Sequence, residues 1–337
     1  MATVTNLKSG ANGIPGASGF GTRDLLADLP EPVPTREDPL KALLAAKKGN
    51  KEEKLKFFWK RAVLAPGFHN ALERARFLIQ EAAYLEEPGG TLILADGGSG
   101  KTFLMEQLLL DFPRINRRYE LKMPLVTVDM RQTPDEKSFL IRILEQADEK
   151  IGRDLSVGEL LEKVVLALLQ IGCRGLFVDE AQKLDTVTTN RRKEGHKLGA
   201  IGELLKEIYT RARVCMILAG TPSLRNLVDS DSQYRTRWPG RVELQPFQSG
   251  AEFQGVLNAL AQSLPLDGVT DFSDPNVAEA IWASTNGNFR QLKDFLRRAL
   301  SRAIDDGVGQ ILPKHLHAAY QITGDFNKPN PFVGLIK

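Results

Sequence analysis

The apolar run Thr91-Leu-Ile-Leu-Ala95 leads directly into Asp96-Gly-Gly-Ser-Gly-Lys-Thr102. Gly97, Gly98, Ser99, Gly100, Lys101 and Thr102 match the end of the P-loop pattern G-x-x-x-x-G-K-[ST], which joins a strand to the start of a helix. Backbone N–H groups and the helix N-terminus then face an anion. Lys101 is expected to reach the β and γ phosphates of ATP, and the Thr102 hydroxyl to reach Mg²⁺. The first position of the pattern holds Ala95, and alanine resists positive φ. Gly97, Gly98 and Gly100 still allow the loop to curl around a phosphate.

A second apolar run, Gly175-Leu-Phe-Val178, delivers Asp179 and Glu180 at its C-terminal end. Ligands of open α/β sheets sit at that end. Asp179 suits a water-mediated hold on Mg²⁺, and Glu180 suits orienting the attacking water. The pair points to hydrolysis rather than transfer to a small molecule. Val214–Ala219 is another buried run and brings Thr221 to the same edge. There Thr221 is placed to touch the γ-phosphate or the lytic water, and also to cap the next helix with Pro222 at its first position, and both can hold.

Pro124–Asp129 and Arg241–Leu244 complete five strands. Helices are expected over 69–85, from Thr102, from a Thr133 cap with Pro134 and Glu136 to about Lys150, and from Ser156 to about Gly172. The alternation predicts an α/β fold, a parallel sheet with helices on both faces. After Pro246 the strands stop, and residues 249–263, 275–285, 288–306 and 312–322 read as a small all-α lid.

The expected parts are a flexible arm (1–38), a basic helical extension (39–64), an α/β domain (65–246), a lid (247–325) and a tail (326–337). The arm is rich in Gly, Ser, Thr and Pro. The extension interleaves Leu55, Phe57, Phe58 and Trp59 with Lys51, Lys54, Lys56, Lys60 and Arg61. Its ordinary reading is a solvated helix packed on the main domain by its aromatics. The sharper one is a nucleic-acid or partner contact. The net charge of +3 is too small to argue for nucleic acid. Cys173 and Cys215 lie in or beside apolar runs and read as buried free thiols, which suits a cytoplasmic protein. The four histidines show no metal spacing with them. The chain shows no signal-peptide core and no membrane-length apolar run.

Together these residues resemble the AAA+ ATPases over about residues 64–323. Walker A falls at 95–102, Walker B at 175–180, and Thr221 is similar to sensor 1. Arg235 and Arg237 precede the last strand, as trans-acting arginine fingers do. An arginine followed by an aromatic favours Arg237-Trp238, with Arg235 and Arg241 as alternatives. Gly287-Asn-Phe-Arg290 is similar to sensor 2. The resemblance adds Phe103 and Arg290 to the nucleotide-binding set. Within AAA+, Val178-Asp-Glu-Ala-Gln182, Leu218-Ala-Gly-Thr-Pro222 and Thr285-Asn-Gly-Asn-Phe-Arg290 resemble the transposition regulators of the TniB/TnsC type.

That resemblance implies a homo-oligomer, ring or helical filament, on target duplex DNA. It would recruit a transposase, possibly with a targeting factor, and be released by ATP hydrolysis. Candidate phosphate contacts are Arg191, Arg192, Lys193 and Lys197 in a basic loop, and Arg131 with Lys137 after the second strand. The ordinary reading of either group is a solvated loop. A rival reading is an ATPase of the ExeA type that acts on a protein partner without binding DNA. Another is a scaffold that binds ATP without turnover.

Overall fold

The computed structural model describes residues 38–61, 65–117, 120–188, 199–325 and 327–336. The expected arm lies outside these residues except for Asp38. Five strands form one parallel sheet: β1 (Gly90–Ala95), β4 (Leu125–Asp129), β5 (Gly175–Asp179), β6 (Cys215–Gly220) and β7 (Gly240–Leu244). Their order is β4-β5-β6-β1-β7. Between β1 and β4 lies an antiparallel hairpin, β2 (Ile115–Arg117) and β3 (Glu120–Lys122), which apolar patterning does not predict.

Both faces of the sheet are covered, so the strands inside it, β1, β5 and β6, are buried along their whole length, while the edge strand β7 carries Arg241 and Glu243. Alternate residues still enter different cores. Leu92, Leu94, Val126, Val128, Leu176, Val178, Met216 and Leu218 face one core. It is closed by α5 (Glu136–Gln146), α6 (Val157–Gln170), α7 (Gly199–Ala212) and α8 (Ser223–Asp229). Ile93, Ala95, Leu125, Phe177, Cys215, Ile217 and Ala219 face the other, under α3 (Pro66–Glu81) and α4 (Lys101–Asp111). Both cysteines are free and buried, and burial pushes the Cys173 thiol up to about 12.

A third core holds α10 (Ala251–Gln262), α11 (Pro275–Thr285), α12 (Phe289–Asp305) and α13 (Pro313–Thr323) together. The chain before the sheet forms α1 (Pro39–Lys47) and α2 (Lys51–Lys60), and Asn50 and Glu53 make a capping box for α2. The aromatics of α2 pack on α12, not on the sheet domain as the sequence reading had it. Phe58 is fully buried in the lid core. Lys293 of α12 donates to the carbonyls of Phe58 at 2.5 Å and Arg61 at 2.6 Å, and Lys51 pairs with Asp305. Phe332 of the tail is buried against Phe295.

Two cap assignments also differ from expectation. Asp135, not Thr133, caps α5, accepting from Ser138 N at 2.8 Å. Thr133 is buried at the end of the 3₁₀ turn Met130–Gln132, its hydroxyl on Met130 Sδ. Thr221 does not cap α8, because Pro222 holds the cap position and the Thr221 hydroxyl meets Ser223 Oγ at 2.8 Å.

Candidate active site

The turn after β1 bends at Gly98 (φ 85°) and Gly100 (φ 101°), where a side chain would be strained. Ala95 is still inside the strand, buried and without positive φ. Its alanine therefore costs the loop nothing. Lys101 opens α4 and is 7% exposed. Its Nζ donates to the carbonyls of Ala95 at 2.5 Å and Asp96 at 3.2 Å. Burial lowers its pKa, while Glu180, Asp179 and Asp96 oppose that shift. The Ser99 hydroxyl is buried without a partner, an orphaned polar atom inside the loop. Thr102 is exposed and lines a cleft with Asp129, Arg131 and Asp179. The Phe103 ring turns away, onto Phe68 of α3 at 5.2 Å between centroids.

Across the cleft, Asp179 ends β5 and is 4% exposed. Burial raises its pKa, offset in part by the hydrogen bond from Glu180 N at 2.8 Å. Glu180 has φ 54°, which turns its carboxylate out of the strand direction. Gln182 Nε2 donates to Glu180 Oε2 at 2.7 Å, and Gln182 Oε1 accepts from Thr221 N at 3.2 Å. Sequence reading missed Gln182 as a site residue, although it stands in the Asp-Glu-Ala-Gln stretch. It also missed Asp129, which lies beside Asp179 in the sheet register. Arg131 is bound to Asp129, with Nη2 to Oδ2 at 2.7 Å. Lys137 is exposed in the first turn of α5.

The lid closes directly on the loop. Asn288 Nδ2 donates to Gly97 O at 3.0 Å, and Arg290 N donates to Gly98 O at 3.1 Å. A Cβ on Gly98 would lie 2.8 Å from Asn288 Oδ1 and 3.0 Å from Arg290 Cβ, so this glycine serves the docking as well as the turn. The Arg290 side chain is exposed and lines a groove with Trp59, Asp294 and Arg298. An apolar pocket opens beside the loop, lined by Ala65, Phe68, Leu244, Pro246, Phe247 and Phe289.

Arg237 sits at the other end of the sheet. It ends α9 (Ser232–Arg237), three residues before Gly240, which pairs with Thr91 at the start of β1. At roughly 3.3 Å per residue, β1 separates that edge from the phosphate loop by about 16 Å. Arg237 lines a groove there with Glu86, Glu87 and Arg213. Arg235 is exposed on the same helix. Arg241 is committed within the fold, paired with Asp229 at 2.5 Å and donating to Gly240 O at 2.9 Å. Arg191, Arg192, Lys193 and Lys197 lie outside the described residues.

A family model described as "Bacterial TniB protein" matches residues 60–248, more than half of the sequence. The chain belongs to the TniB family. No curated protein matches it in sequence. Among solved structures, the chain is similar to Aeropyrum pernix ORC2 in ADPNP-ADP complexes (TM-score 0.59, 16% identity, 83% of this chain and 74% of that one). It is similar to Aeropyrum pernix ORC1 in complex with DNA (0.57, 20%, 81% and 70%), and to Cdc6p from Pyrobaculum aerophilum (0.53, 17%, 77% and 68%). This TniB-family chain therefore has the AAA+ ATPase fold, a parallel five-stranded sheet followed by a helical region. Among the described residues no helix is long and apolar enough to cross a membrane.

Proposed function

We propose that this chain is an ATP-hydrolysing regulator of DNA transposition that assembles on target duplex DNA, recruits a transposase and is released when ATP is spent. The observation that carries the reading is the division of the site. Lys101, Thr102, Asp179 and Glu180 meet at one edge of the sheet, and Arg237 stands at the opposite edge. An arginine so placed cannot serve its own phosphate loop, but it can serve that of a neighbouring copy.

The residues suit their ligands. The loop N–H groups, the Lys101 ammonium and the orphaned Ser99 hydroxyl supply donors for phosphate oxygens. The apolar pocket beside Phe68 and Phe247 suits a purine base. Thr102 and Asp179 would hold Mg²⁺, which neutralises charge on the β and γ phosphates when bound. Among the described residues no three His, Cys, Asp or Glu converge on a metal site. An ion bound mainly by phosphates and water needs no such cluster.

In the proposed reaction Glu180 takes a proton from water as its oxygen bonds to the γ-phosphorus, and the bond from that phosphorus to the β–γ bridging oxygen breaks. Arg237 of the neighbouring copy offsets the charge of the transferring group. Arg290, on the lid that contacts the loop, reports the γ-phosphate. ATP thus joins copies, and its hydrolysis removes the contact that joined them. The DNA complex of the fold-similar Aeropyrum pernix ORC1 supports binding to DNA. Arg131, Lys137, Arg191, Arg192, Lys193 and Lys197 are the proposed phosphate contacts.

The test is binding to duplex DNA with ATP, ADP or a slowly hydrolysed analogue, followed by fluorescence anisotropy and electron microscopy. The reading expects wild type to coat DNA with ATP or the analogue, Lys101→Ala to fail, and affinity to fall steeply with salt. ATP hydrolysis with no DNA binding in any nucleotide state would overturn it in favour of a protein partner.

A further inference from the structure

We infer that Gln182 is a positioning residue for the water-activating carboxylate, tying Glu180 to the backbone at the tip of β6. The inference rests on the hydrolytic reading above and extends it to a residue that has no part in the P-loop or in the Asp179-Glu180 pair.

Three observations converge on Gln182. Its amide bridges two strand ends, donating to Glu180 Oε2 at 2.7 Å and accepting from Thr221 N at 3.2 Å. The Thr221 N–H can only donate, so the amide oxygen must face it and the NH₂ must face Glu180. The bridge therefore has one orientation, and it requires an acceptor oxygen on Glu180. Space for it is provided by Gly220. A Cβ there would lie 2.6 Å from Gln182 Oε1 and 3.1 Å from Gln182 N, so a side chain at that buried strand end would push the Gln182 amide out of its bridge.

Glu180 needs such a restraint. It sits just beyond β5 in a left-handed conformation, φ 54°, with only partial burial. A glutamate has three side-chain torsions, and a general base works only when aimed at its proton. Gln182 engages Oε2 and leaves Oε1 as the atom that faces water. Because the far end of the amide is bonded to Thr221, any shift of the β6 tip is passed to Glu180. The carboxylate is thereby linked to the strand end expected to touch the γ-phosphate.

The test is steady-state ATP turnover by the full chain, together with binding of a fluorescent ATP analogue and the melting temperature. The variants are Gln182→Leu, Gly220→Ala and the double variant. General-base catalysis contributes about 10²–10⁴-fold, and losing its orienting partner is expected to forfeit part of that, about 10–100-fold in kcat. The expected result is that drop in kcat for Gln182→Leu, with nucleotide affinity and melting temperature close to wild type. Gly220→Ala should lower kcat similarly, and the double variant should fall no further than the worse single variant, because both remove one bridge. Unchanged kcat in Gln182→Leu would overturn the inference. So would losses of kcat, affinity and melting temperature in parallel, or additive effects in the double variant. A wild type that binds ATP without turnover would instead overturn the hydrolytic reading itself.

Discussion

Lys101 and Glu180 carry separable halves of the proposed chemistry. Lys101 is nearly buried and donates to two carbonyls of its own loop. Its ammonium is already aimed into the curl where a phosphate would sit. Replacing it with alanine removes the charge from the loop and leaves the fold intact, so ATP affinity should collapse in a fluorescent-nucleotide titration. Glu180 stands outside the loop, and in the proposed reaction it acts on water rather than on phosphate. Glu180→Gln should bind ATP nearly as well as wild type and turn it over about a hundredfold more slowly or worse. Equal losses of binding and turnover in Glu180→Gln would contradict the division of labour.

At the scale of elements, the extension is packed on the lid through α2. Phe58 fills the lid core, so Phe58→Ala should destabilise the chain by about 3–5 kcal/mol, measured by denaturant unfolding. Lys293 adds a pH dependence. Burial lowers its pKa to about 7, with the Arg61 charge contributing in the same direction. The unfolded chain keeps an ordinary lysine, so above pH 7 it binds more protons than the folded chain. Stability from this residue therefore rises as pH climbs from about 7 toward the ordinary lysine value. Melting scans of wild type against Lys293→Met should show the wild type gaining relative to the variant over that interval. A constant difference across it would contradict the assignment.

Much at this scale was legible in the sequence. The strands that lead to Lys101, Asp179 and Thr221 are apolar runs buried along their length, and burial on both faces writes such strands plainly. What was not legible depended on contacts distant in sequence. The partner of Phe58 lies more than 200 residues away, and basic-aromatic patterning cannot choose between sheet and lid. The hairpin β2–β3 has three residues per strand, too few for periodicity. Asp135 outcompetes Thr133 as a cap because Thr133 is buried. Gln182 stands in Asp179-Glu-Ala-Gln182, but only the approach of β6 to β5 reveals its bridge.

At the scale of the whole molecule, the proposed site is completed between copies. One edge of the sheet offers the phosphate loop with Asp179 and Glu180. The other offers Arg237 beside Glu86 and Glu87. Mixing Glu180→Gln with Arg237→Ala tests this most directly. The first variant keeps Arg237 and binds ATP, and the second keeps Glu180. Each alone should turn over poorly. With Glu180→Gln in excess, an Arg237→Ala copy gains an intact arginine from its neighbour, and the mixture should hydrolyse ATP faster than the sum of its parts. A rate equal to that sum, or wild-type turnover by Arg237→Ala alone, would contradict the shared site.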